Sequence, residues 1–394
     1  MRSLYKIVHT ACQTGWGGIE KRILNESMWM AEKGHQVIIV APENTPLFDR
    51  AKGFGFRLYP MSFKRLGTLA NYRSLIRIFE NEQPHILNTH GPADSKIALP
   101  AAQKAEVPCR ILSRHIGDPI RNSWSSRRLF KHISHYVFTP AGHTRSHLQK
   151  VFNLKDMKIF SIPSGIVEPE SLVLRDEARK ALAGELGLET STRFIGAVVT
   201  GRVSGGRGLP PLLKAFKKIR ADIPHHMAVL GTGGSVCPDR LRELSRRLGI
   251  EDRVHFSELF SDIDEDGWSF FRALDCKVLA ARDEKGLPVE ETSQTLFQAM
   301  YCSCPVIAPK TGVAAEIIDH EKTGLLHEPG RESQISKEIL NTLNHEAAAL
   351  ERIHAAREKV KKHHTMDVTG RDVTRIYRLH QVRLEKELMP YPSS

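Results

Sequence analysis

The chain has 394 residues, 41% of them apolar and 26% charged, and a net charge of +12. This is too long for one ordinary hydrophobic core, so two domains are expected, with the composition of a soluble globular protein. No apolar run approaches the roughly 20 residues needed to cross a bilayer, which excludes a membrane-spanning helix class.

The opening "MRSLYKIVHTACQTGWGG" does not read as a secretory leader, because its apolar run is short and broken by His9. It reads as a strand entering a glycine-rich loop. In "TGWGGIEKRI", Gly15, Gly17 and Gly18 lie between that strand and a helix expected over 19–33. Glycine permits a tight turn and close backbone approach, and a helix N-terminus favours an anion. Such turns also serve packing, and the acid some 20 residues on that a dinucleotide fingerprint needs is not obvious. Strands are then expected at "QVIIVAP", "HILNTH", "RILSRH", "HYVFTP" and "KIFSIPS", with a helix over 70–82. His90 with Gly91 in "NTHGPADS", and His115 in "SRHIGDP", stand just past strand ends. In a doubly wound sheet that is where ligands bind, although a lone histidine is more often structural.

"SGIVEPESLVLRDEARK" reads as a linker, and the strand–helix pattern restarts near residue 193. "RFIGAVVTGRV", "HHMAVLGTGG", "RVHFSE", "CKVLAA" and "CPVIAP" are the expected strands, with helices near 209–221 and 238–248. "TGRVSGGRG" sets Arg202 and Arg207 on one glycine-rich loop, where two guanidiniums beside backbone amides suit a diphosphate. "VLGTGGS" repeats the device at Gly231, Gly233 and Gly234. Asp262, Asp264 and Asp266 in "SDIDED" have a spacing that some metal sites use, but an acidic run also suits the start of the next helix, and no metal is expected. Cys302 and Cys304 lack paired zinc spacing, and the six cysteines read as small buried hydrophobes in a reducing cytoplasm. Residues 331–388 read as charged helices. The fold expected is α/β: two doubly wound, Rossmann-like parallel-sheet domains facing a central cleft. Their bounds are 1–168 and 169–368, with a C-terminal helical segment 369–394 packing back on the first domain.

The charge is one-sided. Residues 1–168 hold 24 Lys/Arg and 12 Asp/Glu, whereas 169–394 hold 33 of each. A basic first half suggests a polyanionic partner or an anionic lipid surface. "FKRLGTLANYRSLIRIF" and "RNSWSSRRLFKHIS" mix basic and apolar residues, but 70–82 reads better as an amphipathic helix against the sheet. No aromatic-and-basic repeat or reader motif points to nucleic acid.

The stretch "EETSQTLFQAMYCSCPVIAPKTGVAAEII" completes a pattern. With "GGIEKRI…MAEKGHQVIIVAP", "SIPSGI", "TGRVSGGRG", "VLGTGG", "RVHFSE" and "KTGLL" in one order, the chain resembles the family 4 retaining glycosyltransferases of the GT-B fold. The resemblance implies transfer of a hexose from a nucleotide sugar, without a metal or other cofactor and with a UDP-sugar favoured over a GDP-sugar. The nucleotide belongs to the second domain and the acceptor to the first. The acceptor implied is an envelope glycan or glycolipid, such as lipopolysaccharide or capsule, at the inner face of the membrane, with the protein cytoplasmic or peripheral there. A soluble acceptor such as a sugar phosphate, or nucleotide-sugar binding without turnover, are the alternatives.

Residue by residue, Glu290 matches the first acid of the family's Glu-x7-Glu motif, which contacts the donor sugar, and Gln298 falls where the second acid binds ribose. Glutamine keeps one donor and one acceptor, so ribose binding survives without the charge. Glu291, Thr292 and Ser293 stand where the family carries Gly, Phe and a further Gly, so sugar preference does not carry over, while Thr292, Ser293 and Gln294 are implied to line the nucleotide and diphosphate. Arg202 matches the family's arginine, and Arg207 replaces its lysine. Glu316 matches the acid of the "GG-x-x-E" element, with Val313 in place of one glycine. His115 matches a histidine near the sugar. Gly17, Gly18 and Gly231 complete the diphosphate set.

Overall fold

A computed structural model of the chain describes residues 4–64, 68–115, 120–200, 209–232, 239–257, 267–279 and 293–388. The chain forms two compact units, Met1–Gly165 with Met366–Ser394, and Ile166–Thr365.

The first unit is a seven-stranded sheet in the order β3-β2-β1-β4-β5-β6-β7. The strands are β1 (Lys6–Thr10), β2 (Gln36–Ala41), β3 (Arg57–Pro60), β4 (Ile86–Thr89), β5 (Cys109–Ser113), β6 (Tyr136–Thr139) and β7 (Ile159–Ser161). All neighbours pair parallel. Helices cover both faces, so the strands are apolar on both and read as near-continuous hydrophobic runs. Alternation still sorts the side chains. Ile7, Ile39, Ile86 and Ile111 share a core with Ile23 and Leu24 of α1 (Gly18–Glu32). Val8, Ile38, Leu87 and Leu112 face the other way, towards Leu75 and Phe79 of α3 (Thr68–Glu82) and Ile97 of α4 (Pro92–Lys104). Between α1 and α3, α2 (Pro46–Gly53) begins at Pro46 behind the cap Thr45.

The chain returns to this unit at Met366, slightly before the boundary expected at 369, because Met366–Leu388 is one continuous helix. Its Met366, Val373, Ile376 and Tyr377 join the α1 core. Gly370 lets it approach closely: a Cβ there would stand 2.3 Å from the Trp29 ring. The Trp29 indole donates to Asp367 Oδ1 at 3.2 Å, and Tyr5 Oη donates to Gln381 Oε1 at 3.0 Å.

The second unit is a six-stranded sheet in the order β10-β9-β8-β11-β12-β13. Its strands are β8 (Phe194–Thr200), β9 (His226–Thr232), β10 (Val254–Ser257), β11 (Cys276–Val278), β12 (Val306–Pro309) and β13 (Leu325–His327), again all parallel. The expected linker is partly a helix. Arg175–Glu185 packs on the unit, and its Arg175 and Arg179 donate to Asp275 Oδ1 at 2.9 and 2.8 Å. The Asp275 Oδ2 accepts from the backbone N–H of Phe194 at 3.1 Å, so one carboxylate ties that helix to the start of β8. Entry and exit of the unit are joined where Ile166 N–H donates to His364 O at 2.9 Å. Among the described residues no helix is long and apolar enough to cross a membrane.

Candidate functional site

β1, β4 and β5 are adjacent in the first sheet, with His9 opposite Asn88 and Asn88 opposite Ile111. His9 is the last residue but one of β1, His90 follows β4 and His115 follows β5. Counting back by twos reaches Ile7, Ile86 and Ile111, so all three histidines continue the α1 face of the sheet. Their rings are therefore neighbours at strand spacing: both centroid pairs are 5.1 Å apart, with His90 stacked on His115 and His9 tilted by 37° to His90. Hydrogen bonds link them in series. His9 Nδ1 and His90 Nε2 are 2.9 Å apart, and His90 Nδ1 and His115 Nε2 are 2.8 Å apart.

Burial depresses all three. His9 is held below the ordinary imidazole range by desolvation, with Glu26 opposing and Arg22 adding to the effect. His90 lies well below that range, through burial and then through His115, His9 and Arg22. His115 keeps a partly exposed edge, yet burial, then Arg22, Arg114 and His9, bring it down to about 3. All three shifts favour the neutral ring, which offers one N–H donor and one bare nitrogen acceptor.

Asp94 sits beside them in the first turn of α4, fully buried. Its Oδ2 accepts from Thr10 Oγ1 at 2.7 Å and from the His90 backbone N–H at 3.0 Å. Desolvation outweighs these bonds and raises its pKa to about 6. Gly91, the N-cap of this helix, is required by closeness: a Cβ there would meet Cys12 Sγ at 2.4 Å and Asp94 Oδ1 at 2.5 Å.

Gly17 and Gly18 begin α1 as the sequence suggests. The Gly17 N–H, however, already donates to Glu20 Oε2 at 2.8 Å. An anion at this helix end meets a carboxylate in place, and burial raises the Glu20 pKa, easing its protonation. An open cavity of about 520 Å³ lies past the ends of β1–β3 in the same unit, lined by the polar Thr14, Asn44, Thr45 and Ser62, the charged Glu43 and Lys64, and the apolar Pro42, Pro60 and Met61.

In the second unit, Gly231 lies inside β9, opposite Val199 of β8, rather than in the loop beyond. The "SQTLFQAMY" segment is a helix, Ser293–Tyr301. Gln294 and Gln298 lie one turn apart on it and are both buried. Phe297 stacks on His364 at 4.1 Å. Glu316 is exposed on Gly312–Ile317, where Val313 is buried against the unit. Arg202, Arg207, Glu290, Thr292 and the acids Asp262, Asp264 and Asp266 lie outside the described residues, as does the Ser293 side chain. Cys302 and Cys304 are buried, and the described residues hold no cluster of three metal-ligating side chains.

Sequence reasoning found His115 and His90 but not His9 or Asp94 as site residues. The available signal was positional: three strands, adjacent in a doubly wound order, each carry a histidine of one parity at or just past the C-terminal end.

Two family models match in succession. "Glycosyltransferase Family 4" covers residues 16–168 and "Glycosyl transferases group 1" covers 187–362. Mannosylfructose-phosphate synthase from Agrobacterium fabrum is 24% identical over 202 residues, 50% of this chain and 42% of that protein. The chain spans only 36–42% of the length of the curated relatives it matches. Among solved structures, a glycosyltransferase from Rickettsia africae superposes with a TM-score of 0.81 at 19% identity, over 96% of this chain and 99% of that one. Anabaena HepE, solved with UDP and glucose, gives a TM-score of 0.76 at 15% identity, over 94% and 98%. At these identities the likeness is one of fold.

Proposed function

From the premise that the chain belongs to the family 4 glycosyltransferases of the GT-B fold, we propose that it transfers a hexose, with retention, from a nucleoside diphosphate sugar to an anionic glycan or glycolipid at the inner face of the membrane. The observation that carries this reading is the match of one family model to each folded unit, 16–168 and 187–362, in the order such enzymes require. The second unit takes the donor. Arg202 and Arg207 neutralise the diphosphate as its charge grows on departure, so no metal is needed. Glu290 positions the sugar, Gln298 binds ribose, and Thr292, Ser293 and Gln294 line the phosphate and sugar. Gly231 and Glu316 complete the donor contacts of that unit. HepE was solved with UDP, which favours a UDP-sugar here.

A second reading, a small soluble acceptor bearing phosphate, is favoured by the mannosylfructose-phosphate synthase match. It would account equally for the basic first half.

The test is a screen of UDP- and GDP-sugars by thermal shift, followed by acceptor-dependent release of the nucleoside diphosphate. A UDP-sugar should stabilise the protein and turn over in excess chelator. Arg202→Ala and Arg207→Ala should each weaken UDP by about 1.5–3 kcal/mol, the worth of a hydrogen bond to a charged group, and slow transfer further. The reading fails if no nucleotide sugar binds. Loss of turnover in chelator, restored by manganese, would transfer the charge-neutralising role to a cation.

A further inference from the structure

Three neutral histidines hydrogen-bonded in series have two proton arrangements. Each shared contact, 2.9 Å between His9 and His90 and 2.8 Å between His90 and His115, takes one proton. If His9 carries its hydrogen on Nε2, its Nδ1 accepts from His90 Nε2–H. His90 Nδ1 then accepts from His115 Nε2–H, and His115 Nδ1 is left as an acceptor. If His9 Nε2 is bare, every proton moves to the other nitrogen of its ring and His115 Nδ1 becomes a donor. The tautomer at the open end is thus coupled to the group that faces the closed end.

That group is identifiable. His9 Nε2 and Glu26 Oε1 are both buried atoms without a hydrogen-bond partner, in a layer where His9 and Glu26 are fully buried. Glu26 is also the charge that favours a proton on His9. Its other oxygen, Oε2, accepts from Arg22 Nε at 2.8 Å, and Arg22 is pinned in turn by Pro163 O at 2.9 Å. The two atoms are not bonded to each other, so a carboxylate so held accepts from His9 through one bridging water.

We propose that Glu26, acting through His9 and His90, holds His115 as its Nε2–H tautomer, so that His115 Nδ1 meets a ligand as a hydrogen-bond acceptor and reads a hydroxyl rather than a carbonyl or phosphate oxygen. Glu26, His9 and His90 are positioning residues. That the hydroxyl belongs to a sugar rests on the transferase reading, whereas the tautomer itself does not.

The discriminating variant is Glu26→Gln. Arg22 has no acceptor capacity and takes the amide oxygen, which turns the amide NH₂ towards His9 Nε2 and inverts the chain. The full-length protein with ¹⁵N-labelled histidine is examined by long-range ¹H–¹⁵N correlation at neutral pH, His115 being assigned by the signal lost in His115→Gln. The wild type should show an unprotonated Nδ1 and a protonated Nε2 at His115. In Glu26→Gln the His115 pattern should reverse together with those of His90 and His9. In His90→Phe the coupling is cut, so adding Glu26→Gln should leave His115 unchanged. With a turnover assay in hand, Glu26→Gln should lower kcat/KM about tenfold, the scale of one hydrogen bond, with UDP binding unaltered. An Nδ1–H at His115 in the wild type overturns the proposal without any variant. An unreversed His115 in folded Glu26→Gln overturns it as well. Neither readout requires a donor, so failure here is separable from failure of the transferase reading.

Discussion

Gln298 and Gln294 are two buried amides on one face of the Ser293–Tyr301 helix, and buried amides are costly unless their donors and acceptors are matched. If Gln298 binds ribose, Gln298→Ala should weaken UDP more than free pyrophosphate, and Gln298→Glu should change UDP affinity only modestly, both read by calorimetry. Equal losses for UDP and pyrophosphate would remove Gln298 from the ribose site. Asp94 offers a test without ligand. Its pKa rises from 3.8 to about 6, so the folded state holds its proton more tightly and this carboxyl's contribution to stability declines as pH rises through that window. His115 works in the opposite sense. Lowered from 6.5 to about 3, it contributes stability above 6.5 that is lost as pH falls towards 3, and His9 and His90 share its direction. The wild type should therefore be more stable to urea at pH 7 than at pH 4.5. Asp94→Asn, which keeps an oxygen for Thr10 and His90, should steepen that rise by about 2 kcal/mol, given about 1.4 kcal/mol per pH unit over the part of the window above pH 4.5. Equal slopes would show that Asp94 is ionised throughout. The sequence draws attention to His115 and Gln298 because each matches a position of the family it resembles. It hid His9 and Asp94 because their roles come from neighbouring strands that sequence order does not place side by side.

Elements with long, strongly patterned apolar runs were legible: β1, β2, α1, α3 and β8 fall where alternation and glycine punctuation set them. β3 (RLYP) and β13 (LLH) were not, because neither carries a β-branched residue to mark so short a run as a strand. The supposed linker at 164–180 hid a helix because its start is Pro- and Ser-rich, while the charges that anchor it, Arg175 and Arg179, find their partner only at Asp275. The C-terminal helix gives the element-scale prediction. Gly370 lies within it against the Trp29 ring, a flat and rigid neighbour, with three ring carbons within 2.6 Å of where a Cβ would stand. Alanine is better than glycine inside a helix by about 1 kcal/mol, but overpacking of this kind costs about 1–3 kcal/mol. Gly370→Ala should lower the melting temperature, and adding Trp29→Leu should recover part of the loss by making room. A melting temperature equal to or above the wild type would mean that the helix shifts away from α1 without penalty.

At the scale of the molecule the decisive feature is that the whole net charge of +12 comes from residues 1–168. Within that half, Arg127 and Arg128 are exposed beside Trp124, which is 75% exposed and lies under the Arg128 guanidinium at 5.7 Å. Trp124–Arg127 is one short helical turn continued by a π-helical turn, Arg128–Ile133, whose Phe130 and Ile133 are buried. The segment is thus anchored from below and presents an aromatic ring and basic groups above, the arrangement of an interfacial anchor. By contrast, α3 sends Leu75 and Phe79 into the core, as an ordinary amphipathic helix does. Each basic residue near an anionic surface is worth about 1 kcal/mol, so a few give reversible attachment. Vesicles with anionic lipid should sediment the protein and neutral ones should not. Binding should fall steeply between 0.1 and 1 M salt, as the screening length drops from about 10 to about 3 Å. Reversal of Arg127, Arg128 and Lys131 to Glu should abolish most of it, and Trp124→Ala should weaken it at every salt concentration. A charge-matched reversal in the second unit, at the exposed Lys180, Lys217 and Lys337, should leave binding near the wild-type level. Sedimentation that does not distinguish anionic from neutral vesicles at low salt would remove the membrane, and the basic half would then belong to a phosphorylated acceptor in solution.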